Sequence, residues 1–484
     1  MLWRSCMFVC VCWGFVSSAY GQFEDLAGAT QRDANAILAI DVAALKSSPL
    51  ATERGWTKKL EAAYVDRATF LPPEASSVLV AGQLVLDREF QPASEVAVMK
   101  LLTPVSMAGL ARANGGQLET LRGRDAIATT GDAYIVALGE NLIGLYSPAH
   151  RQAASQWVAD AGRKGGNGLS DYLKKALAGG NDKTQIVLAM ELQDALSPRT
   201  IAEGLKKITL PAGGTVRPED LAPQLETLRG LTVEIAVAKE VKATTRIDFG
   251  KTVTFSAAIA KTLLVSAMQN AGVELPEIAD HRFEIRGSTV VAEGELSPGA
   301  LRRLMSLLEV PNVELAAAES PPETTPSSAD QMAAKSQLYF KSAVSLLDDL
   351  RGDRSKQDPR GGMDAVWMDK YAAKIDRLPS LDVDEELLVW GENTAQTLRV
   401  MASARRGRGL SAGASKSGLR TGVSWDGYYG VSASGATATQ ASANQIDVTQ
   451  GNMATARRVE GWRLIDNATA EVRKKLTQRY RVEF

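Results

Sequence analysis

The sequence predicts an α+β fold: two related antiparallel-sheet/helix modules, then a helical C-terminal region with a flexible Gly/Ser/Ala-rich insert. Three observations carry this reading. Short apolar strands and helices recur in the same order at two places before residue 316. Beyond residue 330 the apolar spacing changes from a period of two to one near 3.6. Between 405 and 443 large apolar residues thin out, and Gly, Ser, Ala and Thr take their place.

The first element is a leader. Arg4 precedes the unbroken apolar run Cys6 to Val16, and small residues follow at Ser17, Ser18, Ala19 and Gly21. This is the pattern of a cleavable signal peptide over 1–21, with export to periplasm, cell surface or extracellular space as its consequence. An apolar run of that length, at about 1.5 Å per residue, covers about half of a ~30 Å hydrocarbon core and falls short of an anchor. Val9 and Val11 precede Cys10 and Cys12, where lipoprotein cleavage needs a small residue. All 3 cysteines lie in this segment. The mature chain is therefore cysteine-free, which excludes disulfides, thiolate nucleophiles and Cys-ligated metals. No transmembrane span is expected in it.

Module 1 is expected over 22–165 and module 2 over 166–315. Each opens on an apolar strand entering a helix, Ala36 to Leu45 in the first and Gln185 to Leu196 in the second. Each continues with an alternating strand and a helix that stops at asparagine or glycine: Glu95 to Leu102 then Val105 to Gly115, and Thr244 to Ala258 then Ala260 to Gly272. Each closes with strands and a Ser-Pro helix start, Ser147-Pro148 and Ser297-Pro298, since proline suits the first helical position.

A Pro/Glu/Thr/Ser linker is expected over 316–330 and a helical region over 331–404. In that region Leu338, Ala343, Leu346, Leu347 and Leu350 share a helix face, a second helix runs about 364–377, and a third starts at Asp382 or Asp384. The low-complexity segment 405–443 follows, then an amphipathic helix over 444–484. Val459, Trp462, Ile465, Val472, Leu476 and Tyr480 form its stripe, expected to pack on the preceding helices.

No motif for chemistry stands in a credible context. The 2 histidines, His150 and His281, occupy non-equivalent places and read as surface or boundary residues. Gly409-Leu-Ser411-Ala-Gly413 spells a nucleophile elbow without the strand before it or a histidine after it. Gly250-Lys251-Thr252 continues as a strand and lacks a phosphate loop. Asp382, Asp384, Glu385 and Glu386 suit a helix N-terminus better than a calcium loop, because the sixth position holds Leu387 where glycine is needed. Arg351-Gly-Asp353 and the sequon at Asn467 carry little weight. Catalytic, cofactor and metal sites are accordingly read as none.

Val423 to Val431 reads as a hairpin turning at Asp426-Gly427, with Trp425, Tyr428 and Tyr429 as speculative ligand contacts for a sugar or peptide. A net charge of −1 gives no pull toward nucleic acid.

Three segments carry a resemblance: Ala36-Ile-Leu-Ala-Ile-Asp41, Ile375-Asp-Arg-Leu-Pro379-Ser-Leu-Asp-Val-Asp384, and Arg473 to Phe484. In them the chain resembles uncharacterised exported bacterial proteins with tandem α+β repeats, a domain of unknown function. The resemblance implies no activity and no site residues. The function expected is an exported, non-enzymatic binding or scaffolding protein with an envelope protein or glycan as partner. The alternative is an envelope hydrolase that acts on glycan or peptide through carboxylates.

Overall fold

The structure is a computed structural model. It describes residues 23–53, 74–85, 91–129, 132–161, 168–179, 183–206, 208, 217–270, 275–305, 307–308, 328–351, 365–376, 378, 380, 382–421, 423–425, 431–433 and 440–484; between 404 and 458 the backbone is described. The expected leader, 1–21, and positions 316–327 of the expected linker lie outside these residues.

The strands of the first unit are β1 (Ala36–Asp41), β2 (Ala75–Val85), β3 (Gln91–Leu101), β4 (Gln117–Leu121), β5 (Arg124–Ala128), β6 (Tyr134–Ala137) and β7 (Leu142–Ser147). Those of the second are β8 (Ile186–Glu191), β9 (Leu228–Val237), β10 (Val241–Phe249), β11 (Arg282–Arg286) and β12 (Thr289–Leu296). They do not form two sheets. One 12-stranded sheet runs β11-β12-β10-β9-β8-β1-β2-β3-β7-β6-β5-β4, with β1 against β8 joining the units.

From that junction outward the order is the same in both directions, apart from the extra β5 and β4 in the first unit. Leu38 faces Leu188 across the junction. The row continues through Val80, Ala97, Leu145 and Ile135 on one side. On the other it continues through Val233, Thr245, Ala292 and Phe283. Residues 38 and 188 therefore mark a local pseudo-twofold axis normal to the sheet. Side chains alternate across a strand, so this row defines one face, here called inner, and its neighbours the outer face.

The inner face carries the main core. Leu38, Val80, Ala97, Leu145, Ile135, Leu188 and Val233 pack there with α10 (Pro298–Met305) and the C-terminal helices α11 (Ser328–Arg351), α12 (Ala365–Asp376), α13 (Glu385–Thr421) and α14 (Gln440–Tyr480). The outer face of the first unit is covered by α1 (Glu24–Gly28), α5 (Arg151–Ala161) and α6 (Asp171–Ala178), whose Leu26, Trp157 and Leu173 meet Ile37, Leu79, Val96 and Val98. A third apolar cluster joins α7 (Pro198–Leu205), α8 (Pro218–Leu225) and α9 (Ala257–Asn270) to Phe249 and Val290 of the second unit. The short helices α2 (Val42–Lys46), α3 (Pro49–Glu53) and α4 (Met107–Ala113) complete the first unit.

Local chemistry explains most element ends. The Asp41 carboxylate accepts the Ala44 amide at 2.9 Å and caps α2. Asn114-Gly115 stops α4, with Gly115 at a φ of 58°, a left-handed conformation that glycine adopts freely. Ser297 accepts the Ala300 amide at 3.1 Å at the head of α10, as the Ser-Pro pattern predicts. Ser147-Pro148 behaves differently, and α5 starts only at Arg151. The Ser147 hydroxyl donates to the Asp132 carbonyl at 3.1 Å, and the Asp132 carboxylate accepts the Ala149 amide at 2.9 Å. That turn is fastened to the strand before it and cannot cap a helix.

The C-terminal stripe is buried as expected at Ile465, Val472 and Leu476, but Val459 is 61% exposed. Helices α13 and α14 pair antiparallel in a constant register. Met401 lies against Gly461, where a Cβ would sit 2.4 Å from its sulfur. Lys475 reaches Glu386 at 2.7 Å, and Arg479 reaches Asp384 at 2.5 Å. Helix α13 is longer than expected and continues past Ala404 to Thr421, while α14 begins earlier than expected, at Gln440, and ends at Tyr480. The expected flexible segment thus starts as helix, consistent with the helix-forming Ala, Arg, Leu and Lys among its glycines.

Candidate functional site

The units differ most on their outer faces. At equivalent positions Leu79 and Ala81 of β2 become Thr232 and Glu234 of β9, and Val96 and Val98 of β3 become Thr244 and Arg246 of β10. Tyr134 and Val136 of β6 become Arg282 and Glu284 of β11, and Tyr146 of β7 becomes Glu293 of β12. The helix after the last strand differs too. In the first unit α5 packs on the outer face through Ala154, Trp157 and Val158. In the second, α10 turns to the inner face through Ala300, Leu301 and Leu304. A sheet face left to water must be polar, and Arg282, Glu284 and Glu293 match that change of cover, while Thr232 and Glu234 of β9 stay buried at the margin nearest α6.

The polar face is ordered at its inner margin by α6. Ser170 caps this helix by accepting the Leu173 amide at 3.3 Å, which sets Tyr172 in its first turn. The Tyr172 ring lies on Gly230, where any Cβ would come within 2.4 Å of it. Its hydroxyl donates to Asp248 Oδ2 at 3.0 Å and lies 3.3 Å from the Thr232 hydroxyl. The Thr289 hydroxyl donates to Asp248 Oδ1 at 2.7 Å. Beside this group Arg246 is ion-paired with Glu234, whose side chain is 7% exposed against 32% for the arginine.

Further out the pairs are solvated. Glu284 takes Arg286 at 2.8 Å and also pairs with Arg282, while Arg286 lies 3.6 Å from Glu293. Burial, with the nearby Asp248 charge, pushes the Tyr172 hydroxyl well above its ordinary range. The Arg286 hydrogen bond and the Arg282 charge hold Glu284 below the usual carboxylate range. Tyr172 stays a neutral donor and Glu284 stays an anion. The face presents fixed donors, acceptors and alternating charges, which suits recognition of a polar surface.

A glycosidic general acid needs a carboxyl held above its ordinary range. Asp220, Glu284, Asp384 and Glu386 are all shifted downward by hydrogen bonds from arginine, lysine, tyrosine or the backbone. The hydrolase reading gains nothing from them. Among the described residues no group of three or more His, Cys, Asp or Glu could hold a metal ion, and no helix is long and apolar enough to cross a membrane.

The predicted hairpin is present as β13 (Val423–Trp425) paired with β14 (Val431–Ala433), Trp425 opposite Val431, in a small sheet of its own. Tyr428 and Tyr429 lie outside the described residues. His150 is exposed just ahead of α5, and its Nδ1 accepts the Ala153 amide at 3.4 Å. His281 is a correction to the expected surface or boundary placement, because it is 4% exposed. It lies over Gly294, where a Cβ would come within 2.1 Å of its ring. A side chain at that position would fill the space, and only glycine leaves room.

Sequence reasoning missed Tyr172, Glu234, Arg246, Asp248 and Thr289. The signal was available in the alternation Thr232-Val-Glu234 and Thr244-Thr-Arg246-Ile-Asp248, set against Val96-Ala-Val98 at the same register.

No known family model matches the chain, and no curated protein matches it. Among solved structures, crystal forms III and I of TP0453 show similarity at a TM-score of 0.33 and 13% identity, covering 58% of this chain and 96% and 95% of theirs. A TM-score of that size carries no functional argument, so the chain's own residues must.

Proposed function

We propose that the protein is an exported, non-enzymatic binding or scaffolding protein of the envelope or extracellular space. Its binding surface is the polar outer face of the second unit. The observation that carries this reading is the contrast between equivalent faces: Val98 and Val136 lie in a core under helices, whereas Arg246 and Glu284 occupy their places on a sheet face without equivalent helical cover among the described residues. The leader expected over 1–21 supplies the destination. A protein of the envelope or a glycan is the partner class, since both present the hydroxyls, amides and charges that paired Arg and Glu rows can meet.

The test is co-purification of the full chain from an envelope fraction, with wild type compared to an Arg282→Glu/Arg286→Glu variant. Both arginines are exposed, so the melting temperature should shift by less than about 2 °C. Loss of the co-purifying partner from the variant is the expected result. Retention of every partner would remove the face from consideration.

A further inference from the structure

His281 joins the 3₁₀ turn Pro276–Asp280 to β11 and lies against β12, with α9 packed on the turn and the head of α10 bonded to it through Ser297 and Glu277. Its Nε2 lies 3.2 Å from the Glu295 carbonyl oxygen. A carbonyl only accepts, so Nε2 carries the hydrogen and Nδ1 is the bare acceptor. That Nδ1 is buried with no donor among the described residues. Four residues back on the turn, Glu277 Oε1 takes the Ser297 hydroxyl at 2.5 Å, while Oε2 is buried with no donor among the described residues. Ser297 in turn caps α10 through the Ala300 amide. One small node thus holds the turn to the end of β12 and to the head of α10, and it contains two buried acceptors with nothing to accept.

We propose that this node is an acid-sensitive latch: protonation of His281 at Nδ1 releases the turn 276–280 and the head of α10 from the sheet edge. Protonation would make the ring a buried cation, and the loss of its hydration is costly even with the Glu277 carboxylate on the same turn, because burial outweighs that attraction. Burial is the largest influence on the ring and keeps it neutral, against the contact with the Glu295 carbonyl and the attraction of Glu277 and Asp280. Those two carboxylates on the turn are the charges acting on it. The charged residues of the other adjoining elements are Lys261 on α9, Arg282, Glu284 and Arg286 on β11, Glu293 and Glu295 on β12, and Arg303 on α10. They do not offset its burial.

The sign follows from linkage. The folded ring gives up its proton more readily than a free histidine, whose ordinary value is about 6.5. The opened state therefore binds more protons as pH falls below that value, and opening becomes easier. The effect is absent well above pH 6.5 and grows through the window below it.

Hydrogen exchange of the full chain at pH 7.5 and 5.5, corrected for the intrinsic exchange rate, tests this. Amides of 276–297 should lose at least tenfold in protection at pH 5.5, while those of β1 and β2 keep theirs. His281→Gln retains a side-chain donor for Glu295 without an ionisable ring, and should abolish the pH effect. Equal loss in that variant, equal loss across the whole sheet, or no loss in the wild type would each overturn the latch. Should the variant not fold, the wild-type ring decides: a His281 resonance that titrates at or above 6.5, with exposed His150 as the second signal, also overturns it.

Discussion

Leu188→Ala will destabilise both units together, by about 3–4 kcal/mol. Leu188 sits on the pseudo-twofold opposite Leu38, 2% exposed, with Val233 on its other flank. Truncation leaves a cavity between strands that neither unit can close alone, since β1 and β8 belong to different units. Chemical denaturation followed by both tryptophan fluorescence and far-ultraviolet circular dichroism checks this. The expected result is one coincident transition, displaced to lower denaturant. Two separated transitions, with only one displaced, would show that the units unfold independently. Leu38→Ala should cost a similar amount, and the double variant should fall short of additivity because the two side chains share one site.

Asp384→Ala will cost about 3 kcal/mol, chiefly by detaching α14 from α13. Its Oδ2 accepts Arg479 at 2.5 Å and the Tyr480 hydroxyl at 2.7 Å, and its Oδ1 accepts the Glu386 amide at 2.9 Å as a helix cap. Its own amide donates to Ser336 of α11 at 2.9 Å, so one residue joins three helices. The cap alone contributes about 1 kcal/mol. Losing a buried carboxylate with its ionic partner costs 3–5 kcal/mol in a dry site, discounted here because Arg479 is half exposed. Burial acts to raise the Asp384 pKa, but the bonds from Arg479, Tyr480 and the Glu386 amide outweigh it and hold the group below its ordinary value. Its contribution is therefore complete above an unfolded pKa of about 3.9 and is lost as pH falls through the lower folded value. Thermal melts at pH 7 and pH 3 should differ more for wild type than for the variant. A difference of the same size in both would show that Asp384 carries no such linkage.

The same packing changes how the C-terminal region can be studied. Ile465, Val472, Leu476 and Phe484 lie in the main core, with Phe484 6.1 Å from the Phe340 ring and 6.0 Å from Tyr480. Deleting 405–484 would remove part of that core, so loss of a partner after such a deletion would report unfolding. Substitutions on the exposed outer face avoid this.

Local rules in the sequence determined the classes of element and most of their limits. Alternation predicted β3 and β10, a 3.6 period predicted α11 and the buried stripe of α14, and Ser297 and the acidic residues from Asp382 announced their helix starts. These signals are short-ranged, since a strand's faces and a helix's caps depend on residues within a turn or two. The sequence also determined that the 3 cysteines, Cys6, Cys10 and Cys12, stand ahead of the first strand, with the thiol chemistry this withholds from the rest. Tertiary structure alone decided that β1 pairs with β8 to make one sheet of two units, because edge pairing depends on residues 150 positions apart such as Leu38 and Leu188. It decided which face α5 and α10 cover, and hence why Arg282, Glu284 and Glu293 can be polar, and it brought Arg246 to the buried Glu234. It also buried His281, since only the approach of Gly294 across the β11–β12 hairpin removes water from that ring.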